Sequence, residues 1–302
     1  MPDTVIITNL TDRAWLWTAA VLYLIGFLFG TLTLIRRKHY SNNLTFFIMA
    51  AGFVLQTLGL YIRGKAAGGC PIGNTFEILQ FTTWSATALY FIIGATFRLS
   101  LLGYFTALFA AVVSLVSLAV PAWDALRRDN LFGNNPWLEF HAALALFSYG
   151  VLALLALTSL MYLLQLFSLK RQQIDGIFSF LPSMRALDQI NRRLHALGVL
   201  LLAASLAVAC AYALRNPAAA GGGDAGGAGG VNAPMLILAA LWLLYAIALV
   251  LRLANALAAR LLAWTCIALF ILAIFSIAAV SKHSNPSQPA TTTITPATPQ
   301  HP

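Results

Sequence analysis

The stretch AALALFSYGVLALLALTSLMYLLQLFS, residues 142–168, contains no Asp, Glu, Lys or Arg. A helix that crosses a bilayer needs about 20 predominantly apolar residues, so this stretch predicts a membrane-spanning helix. Further charge-free runs occur at 14–35, 45–62, 78–97, 99–120, 194–214, 234–251 and 261–281. A membrane β-barrel would instead show alternating segments of about ten residues. The sequence therefore predicts an all-α polytopic membrane helix bundle with about eight transmembrane helices.

The composition of the whole chain supports this fold class. Of the 302 residues, 60% are hydrophobic and 9% are charged, and the mean hydropathy is +0.81. Soluble domains carry roughly a quarter charged residues, so a soluble globular enzyme is excluded. The net charge of +9 falls mainly in the connections between apolar runs. It therefore indicates membrane orientation and no nucleic-acid binding.

The Lys and Arg residues also predict the orientation. With the N-terminus outside, the cytoplasmic connections hold eleven of the eighteen Lys and Arg residues. Cytoplasmic connections are enriched in these residues, so we expect an N-out, C-out multi-pass protein of a bacterial-type cytoplasmic (inner) membrane. The expected divisions are an outer N-terminal segment at 1–13, a membrane domain at 14–283 with a flexible Gly/Ala loop at 215–233, and a disordered Pro/Thr-rich tail at 284–302.

Two histidines are candidates for binding a metal centre. His141 begins the fifth predicted span and His283 ends the eighth, so both are expected at the outer membrane surface. Paired imidazoles at such a place can ligate haem iron axially. The alternative is two interfacial histidines in contact with water or headgroups. His195 lies beside Arg192 and Arg193 at the start of the sixth predicted span, and we interpret it as an interfacial residue.

A second candidate lies at the start of the third span, where residues 70–77 read CPIGNTFE. Asn74 is a suitable N-cap and Glu77 occupies its N3 position, as in a capping box. The alternative is that Glu77, a carboxylate at the membrane boundary, belongs to a functional site. With Trp84 further along the same helix, Asn74 and Glu77 are predicted as capping or site-lining residues. The three cysteines form no C-x-x-C motif, which excludes a dithiol redox protein.

Three segments carry a family pattern: PIGNTFEILQFTTW at 71–84, FHAALALFSYG at 140–150 followed by LMYLLQ at 160–165, and LDQINRRLHALG at 187–198. Together they resemble the cytochrome c assembly family of membrane proteins, of the CcsA/ResC type with HemX-like relatives. The resemblance implies that haem, expected as haem b, is held at the outer face between His141 and His283. It implies no catalytic residue. The partners it implies are a ResB-like membrane protein and an apocytochrome c bearing C-x-x-C-H.

The loop between the sixth and seventh spans departs from the family pattern. Residues 216–234 read NPAAAGGGDAGGAGGVNAP, where the family has a tryptophan-rich segment. A Gly/Ala loop offers no stacking area to a haem. Two functions therefore remain open: a haem-handling component that presents haem to apocytochrome, and a HemX-like non-catalytic regulator or scaffold linked to haem biosynthesis. Whether the chain forms part of a cytochrome c synthase is also open.

Overall fold

The structure, a computed structural model, describes residues 3–36, 42–97, 100–125, 135–171, 181–216 and 233–283. All regular structure in these ranges is helical, which confirms the predicted all-α bundle. The helices are α1 (Asp3–Ile35), α2 (Asn42–Ala67), α3 (Thr75–Phe97), α4 (Ser100–Ala119), α5 (Pro136–Lys170), α6 (Met184–Arg215), α7 (Ala233–Leu253) and α8 (Ala259–His283). A short 3-10 turn, Pro121–Trp123, follows α4. The tail at 284–302 and most of the Gly/Ala loop lie outside the described residues.

Six of the described helices are long and apolar enough to cross a membrane, so the chain is a multi-pass membrane protein. They are α1, α2, α4, α5, α6 and α7, and α8 is also apolar over Ala259–Phe275. Helix α3 has 23 residues but carries buried polar side chains, among them Glu77, Gln80 and Thr83. A helix that other helices shield from lipid can carry such groups because protein partners satisfy them.

Contacts between helices fix their relative directions. Tyr23 of α1 donates a hydrogen bond to Gln56 of α2 at 2.9 Å, and Gly59 packs beside Leu16, so α1 and α2 are antiparallel. Consecutive helices alternate in direction throughout the bundle. Helices α1, α3, α5 and α7 begin at one end, where α2, α4, α6 and α8 finish. We call the end at which α1, α3, α5 and α7 begin the Arg63 end, and the opposite end of the bundle the Arg252 end.

Helix α5 lies in the middle of the bundle and packs against α3, α6 and α8. Gly150 of α5 brings the α3 backbone unusually close: a Cβ atom there would lie 2.4 Å from Ser85 Cβ and 2.8 Å from Ala86 N. At Gly198 of α6, an added Cβ atom would lie 2.8 Å from the Cδ2 atom of Leu152 on α5. Small residues at such crossings are typical of packed membrane helices.

Candidate functional site

The beginning of α5 is fixed by Asn135. Its Oδ1 atom accepts the Trp137 N–H at 3.1 Å and so caps the helix, and Pro136 occupies the first helical position. The Asn135 Nδ2 atom donates to Tyr212 Oη of α6 at 3.1 Å. These contacts join the start of α5 to the end of α6 and set His141 in the second turn of α5 at the Arg63 end.

The imidazole of His141 is held by Ser205 of α6. His141 Nδ1 lies 2.8 Å from the Ser205 carbonyl oxygen and 2.9 Å from Ser205 Oγ, and that hydroxyl donates to the His141 carbonyl at 3.0 Å. A carbonyl oxygen only accepts, so the proton resides on Nδ1. In the neutral imidazole, Nε2 therefore keeps its lone pair, which is the tautomer that ligates a metal through Nε2.

His283 is the last residue of α8, which packs against α5. The two helices run in opposite directions, so His141 and His283 both belong to the Arg63 end. The His283 side chain lies outside the described part of the structure. Next to His141 on α5, Trp137 and Phe140 are 57% and 56% exposed, although both are aromatic.

A buried ion cluster occupies the same end of the bundle, between α1, α2, α3 and the segment after α4. Arg63 is its centre: Nε donates to Glu77 Oε1 at 2.7 Å, one Nη atom to Asp12 Oδ2 at 2.8 Å, and the other to Asp124. Arg13 forms a second ion pair with Asp124 at 2.8 Å. Three carboxylates and two guanidinium groups give the cluster a formal charge of −1.

The residues predicted around the start of α3 meet this cluster. Asn74 Oδ1 accepts the Glu77 N–H at 2.8 Å, and Asn74 Nδ2 donates to Asp124 at 3.1 Å. The Glu77 carboxylate accepts the Gly73 N–H at 2.6 Å as well as the Arg63 bond. Asn74 and Glu77 thus combine capping with membership of the ion cluster.

Trp84 lies apart from the ion cluster. Its ring stacks on Phe53 of α2 with centroids 5.6 Å apart, and its Nε1 atom donates to Thr57 Oγ1 at 2.9 Å. The contacts join α2 to α3. In the described residues, the structure therefore brings Asn74 and Glu77 together and leaves Trp84 in a helix-packing role.

Sequence reasoning missed four members of the ion cluster: Asp12, Arg13, Arg63 and Asp124. In the sequence, Arg13 and Arg63 indicate only the orientation of the chain in the membrane. A signal was present, because the chain has only nine Asp and Glu residues. Asp12, Glu77 and Asp124 all fall at span ends on the same predicted side of the membrane.

The interpretation of His195 as interfacial is wrong. Helix α6 begins at Met184, ten residues before the predicted span, so His195 lies three turns inside it. The side chain is fully buried, and its Nε2 atom lies 2.9 Å from the Tyr245 carbonyl oxygen of α7. The charges of Arg192 and Arg193 ended the apolar run in the sequence but did not end the helix.

Cys70 lies in the connection between α2 and α3, at the edge of the ion cluster. Burial, followed by the negative charges of Glu139 and Glu77, raises the pKa of the Cys70 thiol to about 11. The thiol is therefore protonated at neutral pH. Because the thiolate is the reactive form, Cys70 is expected to be unreactive there.

The fold and the polar groups at the Arg63 end define a multi-pass helical membrane protein in which one histidine, His141, is held by Ser205 of the neighbouring helix. The sequence matches the profile of the family described as cytochrome C assembly protein over residues 72–223, just over half of the chain. The chain belongs to this family.

Similar proteins carry two names. Protein HemX of Brevibacillus brevis is 28% identical over 198 residues, which cover 65% of this chain and 72% of that protein. Protein HemX of Bacillus subtilis (strain 168) is 23% identical over 64% of this chain and 70% of that protein. Cytochrome c biogenesis protein CcsA of Prochlorococcus marinus is 26% identical over 131 residues, 42% of this chain and 41% of its own length.

Proposed function

We propose that the chain is a haem-handling membrane component of c-type cytochrome biogenesis, with His141 and His283 as axial ligands of haem b. The observation that carries the proposal is the His141–Ser205 contact, which leaves Nε2 of a neutral imidazole available at the Arg63 end. Family membership and the name of the CcsA relative support the same role.

The residues around His141 fit a haem. Trp137 lies one helical turn before His141 on the same side of α5. Trp137 and Phe140 are more than half exposed, so both can pack against a porphyrin edge. These rings supply aromatic surface near the site, where the Gly/Ala loop supplies none. When bound, haem supplies the iron for ligation and the vinyl groups to which apocytochrome thiols add.

The proposed orientation puts the Arg63 end outside the cytoplasmic membrane, with both termini there. The distribution of Lys and Arg supports it. In that orientation His141 faces the compartment in which a C-x-x-C-H apocytochrome would meet the haem. A ResB-like membrane partner would complete the assembly, and the exposed apolar helix faces offer it surface within the bilayer.

The experiment is a haem titration of the purified full chain, followed by its absorption and resonance Raman spectra. The wild type is expected to give a six-coordinate bis-histidine spectrum. His141→Ala should lose it, and imidazole added to that variant should restore it by filling the vacant ligand position. Haem occupancy that is unchanged in both His141→Ala and His283→Ala contradicts the ligand assignment.

His195→Ala is the matched control for these variants. It removes a histidine that is fully buried in the bundle and is expected to leave the haem spectrum unchanged. If His195→Ala abolishes haem binding while His141→Ala does not, the haem site lies inside the bundle and the proposed site is wrong.

A HemX-like regulator or scaffold is the second candidate function. The observation that favours it is the longer match to the HemX proteins, 65% of this chain against 42% for the CcsA of Prochlorococcus marinus. Deletion of the gene distinguishes the two functions. Loss of covalent haem staining of c-type cytochromes supports the assembly role. Normal staining with altered levels of haem precursors supports the regulator.

A further inference from the structure

His195 and Cys266 form a polar contact in the interior of the bundle, away from the proposed haem site. His195 Nδ1 of α6 lies 4.0 Å from Cys266 Sγ of α8, and both side chains are fully buried. The other ring nitrogen, Nε2, meets the Tyr245 carbonyl at 2.9 Å. Since a carbonyl only accepts, the proton is on Nε2, and the Nδ1 lone pair points to the thiol.

Further polar groups surround this pair. The Tyr245 ring meets His195 edge to face with centroids 5.7 Å apart. Its hydroxyl is fully buried and has no hydrogen-bond partner among the described residues. Ser159 of α5 lies beside the Cys266 thiol. Polar groups inside a membrane bundle are costly, so such a cluster indicates a function.

We propose that His195 and Cys266 are the two ligands of a monovalent copper ion. Thiolate and imidazole are the side chains that soft Cu(I) prefers. Zinc–nitrogen and zinc–sulfur bonds are about 2.0 and 2.3 Å long, and bonds of similar length in a near-linear N–Cu–S unit span about 4.3 Å. The observed N–S separation of 4.0 Å requires only a small movement to admit the ion.

The charge balance of this buried site favours a monovalent ion. Cu(I) displaces the Cys266 thiol proton, which is released to bulk water, and forms a Cu–S bond to the thiolate and a Cu–N bond to neutral His195. No electron is transferred, and the unit of one cation and one thiolate is neutral. A divalent ion on the same two ligands would leave one positive charge buried in an apolar interior, which is strongly unfavourable.

Two other occupants fit the observations less well. Structural zinc is almost always held by four ligands, and the described residues contain no group of three or more His, Cys, Asp or Glu side chains suited to a metal. A haem would need a slot for the porphyrin between His195 and Cys266. Tyr245 is fully buried and packs edge to face against His195, so the packing leaves no slot for a porphyrin.

The test is the copper content of the full chain purified without oxygen from cells grown with added copper, measured by elemental analysis and copper X-ray absorption. The wild type is expected to hold one Cu(I) per chain, with one sulfur and one imidazole as scatterers. Cys266→Ser and His195→Gln should lose it. The glutamine variant can still donate to the Tyr245 carbonyl, so it retains the helix contact but has no metal-binding imidazole.

Cys210→Ser is the matched control because Cys210 is an exposed cysteine on α6 and should leave the copper content unchanged. Copper that persists in Cys266→Ser, or that is lost in Cys210→Ser, contradicts the site. If Cys266→Ser or His195→Gln fails to fold, the wild-type protein alone provides the test. The proposal is overturned if the wild type holds no copper, or if its X-ray absorption spectrum lacks the sulfur and nitrogen neighbours. No haem is added, so the result does not depend on the proposed function.

Discussion

Arg63 of α2 and Glu77 of α3 form an ion pair in which Nε lies 2.7 Å from Oε1, and the side chains are 5% and 0% exposed. The pair is stable in this position because each partner has further bonds. Glu77 also accepts from the Gly73 backbone, and Arg63 also binds Asp12 and Asp124. The ring of Phe76 covers the Arg63 guanidinium, with its centre 4.8 Å away. One cation thus joins three helices and the segment after α4.

Replacing Arg63 by alanine is therefore expected to destabilise the protein. The change would leave Asp12, Glu77 and Asp124 close together with only Arg13 to balance them. Breaking a buried ion pair from one side costs about 3–5 kcal/mol, and we expect a loss of that size in the free energy of unfolding. Thermal or denaturant unfolding in detergent measures it. Lys65→Ala, an equal charge change at an exposed position on α2, is the control and should change the free energy by less than about 1 kcal/mol.

Arg63→Lys is expected to lie between the wild type and Arg63→Ala. A lysine carries the charge but has one compact ammonium group, whereas the planar guanidinium of Arg63 presents separate donors to three carboxylates. The lysine variant should therefore melt below the wild type. A melting temperature equal to that of the wild type would show that the positive charge alone, and not the planar geometry of the guanidinium group, stabilises the cluster.

The chemical reactivity of Cys70 tests the charge around the cluster. Its thiol has a pKa raised to about 11, first by burial and then by Glu139 and Glu77. At pH 8 we expect about a hundredfold less thiolate than for an ordinary cysteine, and alkylation should accelerate as the pH approaches 11. Peptide mapping by mass spectrometry after iodoacetamide treatment measures the rate at each pH. Glu139→Gln removes one of the negative charges and should increase the rate at pH 8. An unchanged rate in that variant would show that Glu139 does not contribute and would leave burial and Glu77 as the causes of the shift.

The sequence predicts the helices well and the contacts between them poorly. Charge-free runs such as 142–168 find the helices because lipid and apolar side chains impose the same composition. The ends are less certain: α6 starts at Met184 because Ser183 caps it by accepting the Ala186 N–H. Asp188 in its second turn pairs with Arg252 of α7 at 2.9 Å, so a charged turn remains helical. An apolar run ends at the first charge, whereas a helix ends where its backbone hydrogen bonds do.

In the candidate site, too, the sequence predicts individual residues but not the contacts between them. His141 is visible in the sequence because it is one of few polar residues beside a span. Its partner Ser205 is 64 positions away and one of many serines, so only the packing of α5 on α6 identifies it. The bond between Arg63 and Asp124 joins residues 61 positions apart. No local sequence pattern predicts a contact between residues so far apart in the chain. The small number of acidic residues does identify Asp124 as a candidate partner.

Ser205 is expected to act as a positioning residue for the proposed haem ligand. Ser205→Ala removes the hydroxyl that contacts His141 Nδ1 and donates to the His141 carbonyl. Loss of such an outer partner typically lowers metal affinity by 10- to 100-fold. Because the Ser205 carbonyl remains, we expect a loss of about tenfold in haem affinity. Ser205→Thr retains the hydroxyl and should restore most of the affinity. Equal affinity in the wild type and Ser205→Ala, with the bis-histidine spectrum intact, would show that the carbonyl alone orients His141.

The crossing of α3 and α5 provides a prediction about packing. At Gly150 a methyl group would lie 2.4 Å from Ser85 Cβ and 2.8 Å from the Ala86 backbone nitrogen, and neither atom belongs to a flexible side chain. Gly150→Ala must therefore separate the two helices, and overpacking of this kind costs about 1–3 kcal/mol. Gly26 on α1 is the matched control, because a methyl group there would meet Ile48 at an ordinary 3.5 Å. Unfolding in detergent should show Gly150→Ala destabilised and Gly26→Ala unchanged or slightly stabilised. Helix α3 carries Glu77 and α5 carries His141. If the crossing at Gly150 fixes the position of α5 relative to α3, Gly150→Ala should also lower haem affinity. A stable Gly150→Ala protein would show that α3 and α5 can move apart without loss.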